Sequence, residues 1–385
     1  MNDSSNWDWN PGKRTIAPIG EWAATTGWVE EPVASPDGER VAAVVQTDEA
    51  VFTACVNGEP WEATFDRVWN LRFTADGRLT ALVNDGGMWT VAVEGEAWES
   101  TFEYAWDPHL PVNGGPITCA AKEGSKYFVV QDGNPWEARF TNLSQLTTSP
   151  DGRQAAAVVQ TVDFSEGDIF KFQDGCYSVA QDGQVWKRNF VNAWSPVFAP
   201  DGERLAATVR VNLYENTIAV DGEPWPGTYS TVWEPVFHPA GDRITAPVKT
   251  AKGWQLAENG RVLWERAYAQ LWHQIYSADG QHLAAIVAPR FGRWTVAVDD
   301  VPWKTTFNDF VSDLVFSPDG RRAAAVASQQ GRRTVVVDGQ PWGETFEAVW
   351  PPVFSPDGRH VAARVKQAGR LRIAVDGRLL PEAFS

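Results

Sequence analysis

The chain has 385 residues, 43% of them hydrophobic, with 21 Trp, 19 Phe, 32 Gly and 25 Pro, enough for a large core joined by many short turns, and this excludes a disordered chain except at its ends. A formal net charge of -16 repels phosphate backbones and anionic lipid, which argues against nucleic acid and direct membrane insertion and favours basic protein surfaces as partners. The first residues contain no apolar core of the kind a signal peptide needs, and no apolar run reaches the length of a membrane span, so a soluble, cytoplasmic protein is expected.

Residues 1–12 read as a polar tail carrying Trp7 and Trp9, indoles without a repeat equivalent and suited to docking on a surface. Residues 13–385 read as one repetitive body. It opens on an orphan half-repeat, RTIAPIGEWAATT, with Gly20 and Trp22, expected to supply a strand that completes the last blade and latches the ring.

One turn then recurs nine times, as SPDG at Ser35 to Gly38, TADG ending at Gly77, NG at Asn113 and Gly114, and SPDG ending at Gly152. It continues with APDG ending at Gly202, HPAG ending at Gly241, SADG ending at Gly280, and SPDG ending at Gly320 and Gly358. A second turn interleaves with it, as in VDGxPW, at Gly58, Gly95, Gly133, Gly183, Gly222, Gly260, Asp300 and Gly339. Asp-Gly between short apolar runs is the strongest local hairpin signal, because Gly accepts positive φ and the Asp side chain closes the turn. Each period of about 39 residues therefore holds four strands, as at Trp350 to Phe354, Arg359 to Val365 and Leu371 to Val375, the last running through Gly-x-Pro-Trp towards a Phe, which is the length of one propeller blade. The expected fold is all-β, a single β-propeller of about nine four-stranded blades, with eight as the alternative.

One period is too long: Gly152 to Gly183 spans 31 residues where other copies span 18 to 20. This places a hairpin insertion around 161–175, between the second and third strands, carrying Phe164, Phe170 and Phe172 among acidic residues. It reads either as a contact loop or as a tolerated one.

The tryptophans fall into two registers. Trp61, Trp98, Trp136, Trp186, Trp225, Trp303 and Trp342 follow the second turn by one fixed step and are expected to pack on the neighbouring blade. Trp69, Trp106, Trp194, Trp233, Trp272 and Trp350 stand eight residues before the first turn, on the expected innermost strand, with Ser144 and Ser312 in that slot elsewhere. For these, inter-blade core and an aromatic rim that holds a partner segment both remain open.

The recurrent Asp37, Asp151, Asp201, Asp319 and Asp357 sit at every hairpin and so read as turn formers, not as catalytic carboxylates. His282 and His360 occupy a slot filled elsewhere by Arg40, Arg204, Arg243 and Arg322, an exposed position; His109 and His273 have no ligand-spaced companion. Cys55, Cys119 and Cys176 lie far apart and read as free thiols. No nucleophile elbow, phosphate loop or dinucleotide fingerprint occurs, so no catalytic, cofactor or metal site is expected.

VWPPVFSPDGRHVAARV, with echoes at Trp194 to Val209, Trp233 to Val248 and Val311 to Val326, resembles the WD-like propeller repeats of the TolB type. The resemblance covers nearly the whole chain and implies the propeller fold without a particular activity. The Trp-rich, acidic repeats and the chain length also resemble the TmcD family, tryptophan-rich cytoplasmic subunits of the Tmc transmembrane redox complex. That resemblance implies a non-catalytic structural subunit, peripheral to the inner membrane, whose partners are cytochrome and iron–sulfur subunits. The alternatives are a generic scaffold, a propeller that binds small molecules or glycans, and a propeller hydrolase.

Overall fold

The computed structural model describes residues 15–384 apart from 27, 113, 165 and 166. Two compact units divide the chain, Met1–Asn189 and Phe190–Ser385. The first holds four-stranded antiparallel sheets over residues 29–60, 67–97, 104–135 and 143–185, here sheets 1 to 4. The second holds sheets 5 to 9 over 192–224, 236–262, 270–302, 310–341 and 348–384. Every sheet is a meander in chain order, as the alternating hairpin turns require, and the fold class is that of a β-propeller of about nine blades.

The turns are built as their residues suggest. In the first turn Ser149, Ser277 and Ser317 each donate Oγ–H to the carboxylate two residues on at 2.6 Å, and each Oγ accepts the N–H of the residue just before the next strand at 3.0 Å. In the loosest copy His238 takes the serine's place: Ala240 N–H donates to its Nδ1 at 3.1 Å, and its Nε2 lies 3.0 Å from Gly280 O in the next sheet.

Before the second turn, all nine copies carry Asn, Asp or Glu at φ between +44 and +52. Each side chain accepts the N–H opening its sheet's second strand, from Asn57 and Val41 at 2.8 Å to Asp376 and Val361 at 2.9 Å. One residue type thus both tolerates the left-handed backbone and clamps two strands together, which explains the repeated acidic residue.

Cores form between consecutive sheets within each unit. Ala42, Val44 and Ala54 of sheet 1 meet Leu79, Ala81 and Val83 of sheet 2, and the pattern repeats down both units. Within each unit the second-turn tryptophans lie against the turn glycine of the following sheet: a Cβ at Gly95 would come 3.1 Å from Trp61 Cγ, and one at Gly339 3.1 Å from Trp303 Cγ. This is the neighbour packing expected of that register.

Three expectations need correction. Ile19–Thr26 is a helix, α1, and not a closing strand. It sets Trp22 against Gly58, as Trp61, Trp98, Trp136, Trp225, Trp303 and Trp342 each meet the next sheet's turn glycine, and packs on Ala43, Val45 and Cys55, the sheet 1 positions equivalent to those that face a preceding sheet elsewhere. Sheet 9 instead takes its outer strand from its own C-terminal stretch, Arg378–Phe384. Arg364 of sheet 9 is exposed where the eight equivalent residues, from Val44 to Val326, are buried, and its guanidinium lies 4.3 Å from the Trp350 ring centroid.

Outside sheet 9, fourth strands are shorter than expected, two residues both with proline, as in Gln340–Pro341, and without it, as in Glu96–Ala97; a single bridge such as Arg333 to Phe346 then returns the chain. The third correction is to the first strand of sheet 9, expected over Trp350 to Phe354, which is split into Ala348–Val349 and Val353–Phe354 by Pro351 and Pro352.

Candidate functional site

The inner-strand slot is built by a β-bulge. Immediately after it, Glu31, Asn70, Asp107, Gln145, Ser195, His273 and Asp313 adopt φ between +48 and +56, and the strand register shifts at that point. A bulge bends the strand and re-aims the preceding side chain. In sheets 6 and 9 proline follows instead, at Pro235 and Pro351.

The slot's tryptophans divide, Trp106 and Trp272 packing against the inter-sheet cores and others standing more open. Trp69 is 46% exposed and Trp233 42%, while Trp106, Trp194, Trp272 and Trp350 are half-buried. Four lean on an aromatic at the start of their own sheet's third strand: Trp69 on Trp89 at 4.8 Å, Trp106 on Tyr127 at 6.0 Å, Trp233 on Trp254 at 5.7 Å and Trp272 on Trp294 at 4.5 Å. A ring fixed on one face by another ring loses little entropy when its second face is covered, the property that makes Trp an interface anchor.

The insertion lies between Gln160 and Tyr177 and contains a short helix, α2 (Ile169–Asp174). Phe164 is tied down by Phe172 at 5.8 Å and Tyr177 at 6.4 Å, and Phe170 stands 76% exposed. The three phenylalanines therefore divide, two anchoring the loop and one presented outward. Trp7 and Trp9 lie outside the described residues.

The histidines separate in the same way. His282 and His360 are exposed, and their Nδ1 atoms meet the second-turn carboxylates of Asp299 at 2.7 Å and Asp376 at 2.6 Å, the pairing that Arg322 makes with Asp338 at 3.0 Å. The slot carries an Arg or His side chain that meets a carboxylate, a pairing that the Arg–His alternation and the Asp spacing together could have suggested. His109 sits 3.4 Å from Asp107, and His273 lines a cleft of about 570 Å³ with Glu234 and Gln274. Cys55, Cys119 and Cys176 are free and buried, and burial pushes the Cys119 thiol up to about 12, which makes a thiolate nucleophile unfavourable there. Among the described residues no three His, Cys, Asp or Glu side chains gather as metal ligands would, and no helix is long and apolar enough to cross a membrane.

Asp37, Asp151, Asp279, Asp319 and Asp357 are held below the ordinary carboxylate range by the turn serine's hydroxyl and by a backbone N–H two residues on. Their shifts come from turn closure, in keeping with their reading as turn formers.

No protein family matches the chain, and no characterised protein matches it in sequence. Among solved structures it is similar to a crystal structure of the eukaryotic initiation factor, with TM-score 0.49 and 14% identity over 92% of this chain and 88% of that one. It is also similar to the crystal structure of TolB from Acinetobacter baumannii, with TM-score 0.32 and 14% identity over 69% of this chain and 76% of that one. Neither likeness carries a residue's role to this chain.

Proposed function

We propose that this protein is a non-catalytic interaction subunit that binds protein partners through its exposed inner-strand tryptophans. The observation that carries this reading is the pair of open indoles, Trp69 in the first unit and Trp233 in the second, 46% and 42% exposed and each backed by a second ring. Such anchors suit a protein interface, where aromatic residues concentrate and charged ones are depleted. The exposed Phe170 on the insertion offers a further contact.

The finer proposal is that the protein serves on the cytoplasmic side of a membrane-bound electron-transfer complex, touching cytochrome and iron–sulfur subunits and not the bilayer. Its support is the Trp-rich acidic repeat and a net charge of -16, which disfavours anionic lipid and favours basic protein surfaces. Affinity isolation of the native protein from gently solubilised host membranes tests it. Cytochrome and iron–sulfur subunits are expected to co-purify; recovery of the protein alone, in the soluble fraction, would remove the redox-complex assignment.

A further inference from the structure

Sheet 1 departs from the other blades at the inner-strand slot, where Glu30 stands in place of Trp or Ser. Phe52, at the start of that sheet's third strand, takes its ring partner from two positions earlier: Trp28 lies 5.7 Å away, edge to face. Between this pair and Trp69 of sheet 2 a cleft of about 470 Å³ opens, entirely within the first unit.

Its walls are aromatic, with Trp28 39% exposed and Trp69 46% exposed beside Phe52. Its charge is acidic: Glu30, Glu31 and Asp66 line it against one guanidinium, Arg67. Asp66 is held in place by the Gly86 N–H, which donates to Oδ2 at 2.9 Å. The Arg67 guanidinium carbon lies 5.6 Å from the Trp69 ring centroid, so that indole face already receives a cation from the chain itself.

We propose that this cleft takes one lysine or arginine side chain projecting from a basic segment of a partner protein. The inference rests on reading the protein as an interaction subunit and names the chemistry of one contact. Ring faces attract a cation through their quadrupole, and carboxylates at the mouth add Coulombic attraction in a partly desolvated space. An apolar occupant would strip water from three carboxylates without replacing it, and an acidic one would be repelled. No other inner-strand slot carries an acid, so the preference belongs to this blade. Arg67 is the internal competitor, sitting on the ring face that the incoming cation needs.

The test titrates the full-length protein with three Gly/Ser hexapeptides that differ only at one central residue, Lys, Arg or norleucine. It is read by tryptophan fluorescence and by indole ¹⁵N–¹H shifts at about 20 mM salt, where screening is weak. The Lys and Arg peptides are expected to bind and the norleucine peptide not to. Trp69→Ala and Glu31→Gln should each weaken binding about tenfold, Arg67→Ala should tighten it several-fold, and Phe291→Ala, at an exposed ring of the second unit, should leave it unchanged. The inference is overturned if norleucine binds as well as Lys, if Arg67→Ala weakens binding, or if neither cationic peptide binds up to about 10 mM, the millimolar limit of a meaningful contact. Circular dichroism confirms that each variant is folded. Partner isolation with Glu31→Gln separates this idea from the broader one: undiminished recovery of partners alongside silent peptides would sink the cleft and leave the interaction reading standing.

Discussion

Trp225 and Trp233 stand eight residues apart in one unit, yet Trp225 is 8% exposed and Trp233 42%. The difference lies in their neighbours. Trp225 is shut in by the next sheet's turn, where a Cβ on Gly260 would come 3.1 Å from Trp225 Cβ and 3.0 Å from Pro226 Cδ. Trp233 has Trp254 stacked on it, 16° from parallel at 5.7 Å, and no turn closing over it. One register holds blades together, whereas in the other Trp69 and Trp233 leave much of their apolar surface to solvent.

Breaking this comparison should give unequal effects. Trp225→Ala removes a buried indole from an inter-sheet core and is expected to cost about 3–5 kcal/mol, read as a lower denaturant midpoint at unchanged slope. Gly260→Ala puts a methyl group against Trp225 at φ +82 and should cost about 1–3 kcal/mol by the same measurement.

Acid should act next. The turn aspartates have folded pKa values below the ordinary 3.8, so they contribute stability fully above that value and lose it as pH falls through their lowered folded values. Thermal midpoints from this group should be flat from neutrality to about pH 5 and decline below about pH 4. Ser317→Ala, which removes one of the hydroxyls holding Asp319, should make the decline shallower.

Trp233→Ala should cost only about 1 kcal/mol, since a half-open ring loses half the burial, while weakening partner capture. Smallest of all, shortening the insertion to the length of its sister hairpins should leave the thermal midpoint unchanged and reduce partner binding through loss of Phe170. Undiminished binding would make the loop merely tolerated.

The repeat period, both turns and the packing of Trp61 and its equivalents on the next blade were legible because each rests on a local signal repeated nearly unchanged. Helix α1 was not: IGEWAATT carries the Gly and Trp of a repeat but lacks the Asp-Gly turn that would make it a hairpin, and Ala-rich sequence without a turn favours helix. Arg364 was a visible departure from a run of uncharged equivalents, seven of them apolar and one Thr208. The bulge was also legible in principle, since Asn70, Asp107, His273 and Asp313 are residue types that tolerate positive φ. The cleft of sheet 1 needed both Glu30 aligned to the tryptophan slot and the three-dimensional approach of Trp28 and Trp69, and only the first of these is written in the sequence. Whether the slot's tryptophans were core or rim depended on what closes over them, which no spacing encodes.

The most direct measurement is partner isolation from gently solubilised membranes with the wild-type protein beside a Trp69→Ala/Trp233→Ala double variant, with thermal midpoints taken on both. The account predicts midpoints within a few degrees of each other and loss of the co-purifying subunits from the variant. Undiminished recovery of the same partners by a folded double variant would contradict it.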